Sequence, residues 1–212
     1  QAQRGWVDRP ISVVPLIFGE PAVLVRDSFN RNDNAAALGT PETGPPAWIA
    51  HGGTWGITSR RARVQVTGGA NVDQASVDVG QANADAEMTV IMPGVDDPNG
   101  RLIFRLIDNS NHLLFVHWLD GALRKTQLYK RVAAAYTLLG AAADDGWAVG
   151  DTFVARVVAV GSLVYCYRNS VLLITYTLTG AEMTTFGAAT RWGLGSGGVS
   201  IPSFDNFIVR AA

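Results

Sequence analysis

Cysteine is almost absent from this chain: Cys166 stands alone among 212 residues. One thiol cannot close an intrachain disulfide, and the same count excludes Cys-rich zinc sites. A chain of this length can bury a sizeable core without such staples. Cys166 lies in the apolar run 163–167 and reads as a buried strand residue. A nucleophilic cysteine needs an activating histidine beside it, and nothing local supplies one. Lysine is scarce as well, with two residues against fifteen arginines, and four glutamates stand against fourteen aspartates. The formal net charge of −1 gives no general grip on nucleic acid or on an anionic membrane. The one basic cluster, Arg60, Arg61 and Arg63, has no interleaved aromatics and reads as a solvated strand edge. The longest stretch free of charge and strong polarity in the middle of the chain, 132–143, is too short to cross a bilayer. The chain starts at Gln1 with no basic segment or long apolar run behind it. The expectation is a start removed by processing, or a piece of something longer.

What is present is a core. Hydrophobic residues make up 48% of the chain and charged residues 17%, which excludes a disordered chain. Residues 1–26 carry Pro10, Pro15 and Pro21 between short apolar runs, a spacing that forbids a helix. They read either as an extended arm docking on this domain or a neighbour, or as an ordinary first strand. From Asp27 to Ala212 the pattern predicts one all-β domain. Short alternating or apolar runs recur between Gly, Asn, Asp and Pro clusters. The clearest hairpin joins 101–107 to 112–119 through Asp108-Asn109-Ser110-Asn111. Residues 136–142 read as a further strand; only 132–143 and 179–186 have helical character, the first weakened by Tyr136, Thr137 and Gly140. Glycines 193, 195, 197 and 198 read as punctuation before a last strand at 204–210. About a dozen strands predict a two-sheet antiparallel sandwich.

Several segments then fall into a familiar order. Asp27-Ser28-Phe29-Asn30-Arg31 is followed by Leu38-Gly39, Trp48 and Gly53-Thr54-Trp55-Gly56-Ile57. Leu102-Ile103-Phe104-Arg105 stands in the middle with Asp108 and Asn111, and Phe204-Asp205-Asn206-Phe207-Ile208-Val209 closes the chain. Over about residues 27–210 this resembles a concanavalin A-like (laminin-G-like) jelly-roll domain. Such domains occur in bacterial surface proteins, polysaccharide-active enzymes and tailed-phage virion proteins. The resemblance implies that the first and last strands lie side by side, with Phe204 and Phe207 sharing the core with Phe29. The fold hosts many functions, so it does not name one.

The chemical inventory narrows the choice. Glycoside hydrolysis generally needs two carboxylates facing across a groove. None of Glu20, Glu42, Glu87 and Glu182 has a second glutamate within ten residues, so a hydrolase is not expected. Asp85 and Glu87 alternate on one strand and form the best pair available, read as a solvent-facing strand end. Hard oxygen ligands gather at Asp96, Asp97 and Asn99 and again around Asp108. Both read first as turns, with calcium the sole cofactor option and otherwise none. His112 and His117 point to opposite faces of their strand, and His51 reads as a loop residue.

On the hairpin, strict alternation puts Leu102, Phe104, Leu106, Leu113 and Phe115 on the core face. Arg101, Arg105 and Trp118 then share the outer face with Ile103, Ile107 and Val116. That face is too apolar for bare solvent and predicts a cover or a partner. Arg105, His117, Trp118, Tyr129 and Trp147 are the candidate glycan- or partner-binding residues, with Trp192 a further ring. The expectation is a non-enzymatic structural or adhesive module of a virion (phage capsid or tail) or an extracellular surface. It would homo-oligomerise, meet other virion or surface proteins through its arm and contact glycans, with no nucleic acid and no membrane span. The alternative is a secreted carbohydrate-binding module or an atypical polysaccharide-active enzyme.

Overall fold

The computed structural model describes residues 20–44, 47–69, 73–94, 98–120, 123–143, 146–197 and 201–212. Most of the proposed arm, together with Asp96 and Asp97, lies outside them. In chain order the strands are β1 (Val23–Asp27), β2 (Ile49–Gly52), β3 (Thr54–Thr58), β4 (Arg61–Val66) and β5 (Asp73–Asp78). Next come β6 (Ala84–Ile91), β7 (Asn99–Asp108), β8 (Asn111–Asp120), β9 (Leu123–Val132) and β10 (Ala135–Ala141). Then follow β11 (Thr152–Val160), β12 (Leu163–Arg168), β13 (Val171–Thr177), the helix α1 (Gly180–Phe186), β14 (Arg191–Gly197) and β15 (Ser203–Ala211). The first sheet runs β13-β12-β11-β6-β15-β4-β3, with β1 also on β15. The second runs β10-β9-β8-β7-β14-β5-β2. Every pairing is antiparallel.

Alternation builds the core. In β11, Phe153, Ala155, Val157 and Ala159 are buried while their neighbours stay at the surface. Burying such side chains is worth roughly 1.5–3 kcal/mol for each large one. The inward residues of both sheets form one cluster, with Phe104 stacked on Trp192 at 5.5 Å between centroids. Cys166 is fully buried inside it.

The opening segment is held by one carboxylate. Asp27 is fully buried and accepts both Nη groups of Arg31, at 2.7 and 2.8 Å. It also accepts the Trp48 indole N–H at 2.8 Å and the Phe29 amide at 2.9 Å. Phe29, Trp48 and Phe207 then pack ring on ring, which welds β1 to β15. Strict alternation would send Phe204 and Phe207 to opposite faces, since they are three residues apart. A bulge between Asp205 and Ile208, with Asn206 at φ +49°, turns both into the core.

The two stretches with helical character resolve differently. The stretch 132–143 holds strand β10, because Tyr136 and Leu138 pair with Arg131 and Tyr129 at the sheet edge. Among the described residues a helix forms at 180–186 alone. There the Thr179 side chain accepts the Glu182 amide and the Glu182 carboxylate accepts the Thr179 amide, a capping box.

Candidate functional site

The outer face of the second sheet carries a groove of about 180 Å³, bounded by Asn99, Arg101, Leu114, Val116, Trp118, Tyr129 and Tyr136. Register explains the gathering. Arg101 lies opposite Val116, which lies opposite Gln127; Asn99 lies opposite Trp118; Leu114 lies opposite Tyr129. Paired residues point to the same face. The floor is apolar and buried: Ile103, Leu106, Leu114 and Val116, with Trp118 and Tyr129 packed against it.

The polar groups above this floor are bonded to one another. The Trp118 indole N–H donates to Gln127 Oε1 at 2.8 Å, and the Tyr129 hydroxyl donates to the same oxygen at 2.9 Å. Arg101 Nε donates to Asn99 Oδ1 at 2.8 Å, and its Nη1 donates to the Tyr136 hydroxyl at 3.3 Å. The Arg131 guanidinium lies 4.9 Å from the Tyr136 ring centroid, and Tyr136 meets Tyr129 edge to face. Arg101 is only 3% exposed, and burial lowers its pKa from the ordinary arginine value. Toward the other edge of the same face, Gln74 and His112 meet at 3.0 Å between side-chain nitrogens. Burial first, and the Arg131 charge second, push the His112 pKa down to about 3.

The sequence candidates separate sharply. Trp118 and Tyr129 line the groove. Arg105, His117 and Trp147 do not: all three are buried elsewhere. Arg105 sits in a bulge with φ +47°, which turns its side chain off the outer face and carries Leu106 onto it. Its guanidinium donates to Ala82 O at 3.2 Å, Gly161 O at 2.7 Å and Asn83 Oδ1 at 3.2 Å, tying two loops together. His117 points into the core between Phe115 and Phe153, with centroids 4.6 and 4.5 Å away. Trp147 packs on Phe153, and Trp192 is in the core.

Of the metal candidates, Asn99 is described, and its side-chain oxygen is taken by Arg101. Asp108 accepts the Ser110 amide and the Asn111 side chain, a turn bonded within itself. Among the described residues, no three His, Cys, Asp or Glu side chains cluster as a metal site. Asp85 and Glu87 stand on the first sheet, away from the groove, and each is paired with an arginine, Arg156 at 2.6 Å and Arg210 at 2.9 Å.

Gln127 and Tyr136 were not singled out from the sequence. The signal that could have found Gln127 is the alternation of Gln127, Tyr129 and Arg131 with Leu128 and Lys130 along β9. Tyr136 had none, because its place depends on an edge strand curling its ring toward Arg101.

Three solved structures show what the fold is similar to. The carbohydrate-binding module CBM66 from Bacillus subtilis aligns with a TM-score of 0.60 at 14% identity, covering 77% of this chain and 95% of that one. The CBM2 module of the evolved Dit of Lactobacillus casei BL23 phage J-1 gives 0.58 at 11% identity, over 89% of this chain and 95% of that one. GH43B of the Bacteroides ovatus xyloglucan PUL gives 0.58 at 14% identity, covering all of this chain but 41% of that one. No protein-family model and no curated protein matches this chain. At such identities the likeness establishes the jelly-roll sandwich fold.

Proposed function

We propose that this chain is a non-catalytic glycan-binding module whose site is the groove on the second sheet. The observation that carries the reading is the groove's composition. Trp118, Tyr129 and Tyr136 bring aromatic rings to an apolar floor, and Asn99, Arg101 and Gln127 stand among them as hydrogen-bonding groups. A sugar ring presents an apolar face and a rim of hydroxyls, and such a surface meets both. A groove of about 180 Å³ is smaller than the sites that enclose whole ligands, so it suits part of a longer chain. The likeness to CBM66 and to the phage Dit module supports this reading. Among the described residues no carboxylate lines the groove, which supports binding over hydrolysis.

A glycan array followed by calorimetry tests the proposal. Binding to a defined polysaccharide in the micromolar range is expected. Trp118→Ala is expected to weaken it by roughly 1–3 kcal/mol, about tenfold to a hundredfold. Binding that ignores Trp118→Ala, or no binding to any glycan, would sink it. For the setting we propose a tailed-phage virion, on the likeness to the Dit module. Mass spectrometry of purified particles from the host that encodes the chain checks this, and its absence from such particles refutes the setting.

A further inference from the structure

Resting on that reading, we infer that the groove takes the acetyl substituent of an acetylated glycan, its carbonyl oxygen on a side-chain amide N–H beside the groove and its methyl on the apolar floor. The orientation of two carboxamides carries the inference. An indole nitrogen and a guanidinium can only donate. Trp118 Nε1 lies 2.8 Å from the Gln127 amide, so the atom it meets is the oxygen, and the Tyr129 hydroxyl reaches that same oxygen at 2.9 Å. Arg101 Nε lies 2.8 Å from the Asn99 amide and fixes its oxygen in the same way. Each amide spends its oxygen inside the protein and turns its nitrogen elsewhere, as a donor. Among the described residues, neither Asn99 Nδ2 nor Gln127 Nε2 makes a hydrogen bond, and neither is buried without a partner, so both reach solvent.

The two amides flank the floor. Asn99 stands on β7 opposite Trp118, and Gln127 stands on β9 opposite Val116, with β8 between them. Leu114 and Val116 are 2% and 3% exposed, so the bottom of the recess is hydrocarbon. A sugar ring can lie on a flat aromatic platform without any recess. A hollow of about 180 Å³ among the rings suits a group that projects from the sugar. A hydroxyl set on that floor loses water on one side and puts no methyl against the hydrocarbon. An acetyl group carries a carbonyl acceptor and a methyl on the same carbon, which matches an amide donor beside an apolar floor. Acetamides and acetate esters share this chemistry.

Calorimetry of the intact chain with two matched pairs of neutral probes tests the inference. One pair is tri-N-acetylchitotriose and cellotriose, which differ by acetamido against hydroxyl. The other is an O-acetylated xylo-oligosaccharide and the same oligomer after alkaline deacetylation. In at least one pair the acetylated member is expected to bind about fivefold or more tightly. The pair that shows the difference says whether an amide or an ester carries the acetyl group. Gln127→Glu and Asn99→Asp keep an oxygen for Trp118 and Arg101 but remove the amide donor. Ring-dependent binding should persist in both variants, while at least one of them erases the preference. The comparison on the unaltered chain needs no variant to fold. Three results would each overturn the inference and leave the module reading standing: equal affinities within both pairs, a Trp118-dependent preference for an unacetylated glycan over both acetylated probes, or a preference that survives both substitutions. Failure of every glycan to bind in a Trp118-dependent way brings down the module reading itself.

Discussion

His117 shows how a residue type can mislead. Its imidazole is fully buried between two phenylalanines, and neither ring nitrogen has a hydrogen-bond partner among the described residues. Burial, with Arg168 adding to it, holds its pKa well below 6.5. His112 behaves alike on the other face, lowered to about 3. Both rings are therefore neutral in the native state, whereas the unfolded chain takes up protons below 6.5. The unfolded state then binds more protons, so stability is complete above 6.5 and falls as pH drops toward 3. The urea midpoint is expected to decline already between about pH 6.5 and about pH 4.5, above the carboxylate range. Removing an unsatisfied buried polar group is worth about 1–3 kcal/mol, so His117→Phe should stabilise the fold by about 1 kcal/mol and flatten that decline. Unfolding curves across the pH series check both; a midpoint unchanged down to about pH 4.5 would sink the argument.

At the level of elements, β14 is the least expected strand. Its sequence, Arg-Trp-Gly-Leu-Gly-Ser-Gly, has the glycines of a loop, yet it lies in the middle of the second sheet. The glycines fall on the outward positions and Trp192 and Leu194 on the inward ones, so the strand keeps its core contacts and gives up its outer side chains. Neighbours fill the vacated space. A Cβ on Gly193 would come within 2.0 Å of Ala75 O, a backbone atom that cannot move aside cheaply. Gly193→Ala should therefore cost several kcal/mol or prevent folding. Gly195→Ala meets mainly flexible side-chain atoms, and should cost about 1–2 kcal/mol while displacing Arg101 and weakening glycan binding. Thermal melts and calorimetry on both variants check the contrast; equal losses would refute it. The bulge at Arg105 is the second device of this kind, since one positive φ reassigns Arg105 and Leu106 between faces.

Over the whole molecule, the first described strand and the last lie side by side. Val23 pairs with Arg210, and the Ala211 amide donates to Ala22 O at 2.9 Å. The two ends of the sandwich thus leave it together, on the first sheet, while the groove opens on the second. The groove therefore faces away from the sheet on which the first and last described strands lie. Residues 20–212 inserted into a surface loop of a stable host protein are expected to fold, melting within a few degrees of the free chain. Loss of the β spectrum, or of Trp118-dependent binding, in such a fusion would count against this picture of the ends.

How much was legible follows from the range of the forces involved. Apolar alternation and turn chemistry are local, so composition and pattern alone determined the all-β class, the 101–119 hairpin, the helical character of 179–186 and the burial of Cys166. The lone cysteine likewise ruled out an intrachain disulfide and a Cys-rich zinc site without any coordinates. The site was a different matter. A bulge moves every later side chain of its strand to the other face, and it is stabilised by partners far along the chain, as Arg105 is by Ala82 and Gly161. No local pattern carries that information. Only the packed sheets decided that His117 and Trp147 turn inward, that glycine-rich β14 is a central strand, and that Arg101, Trp118, Tyr129 and Tyr136, drawn from four strands, meet in one groove.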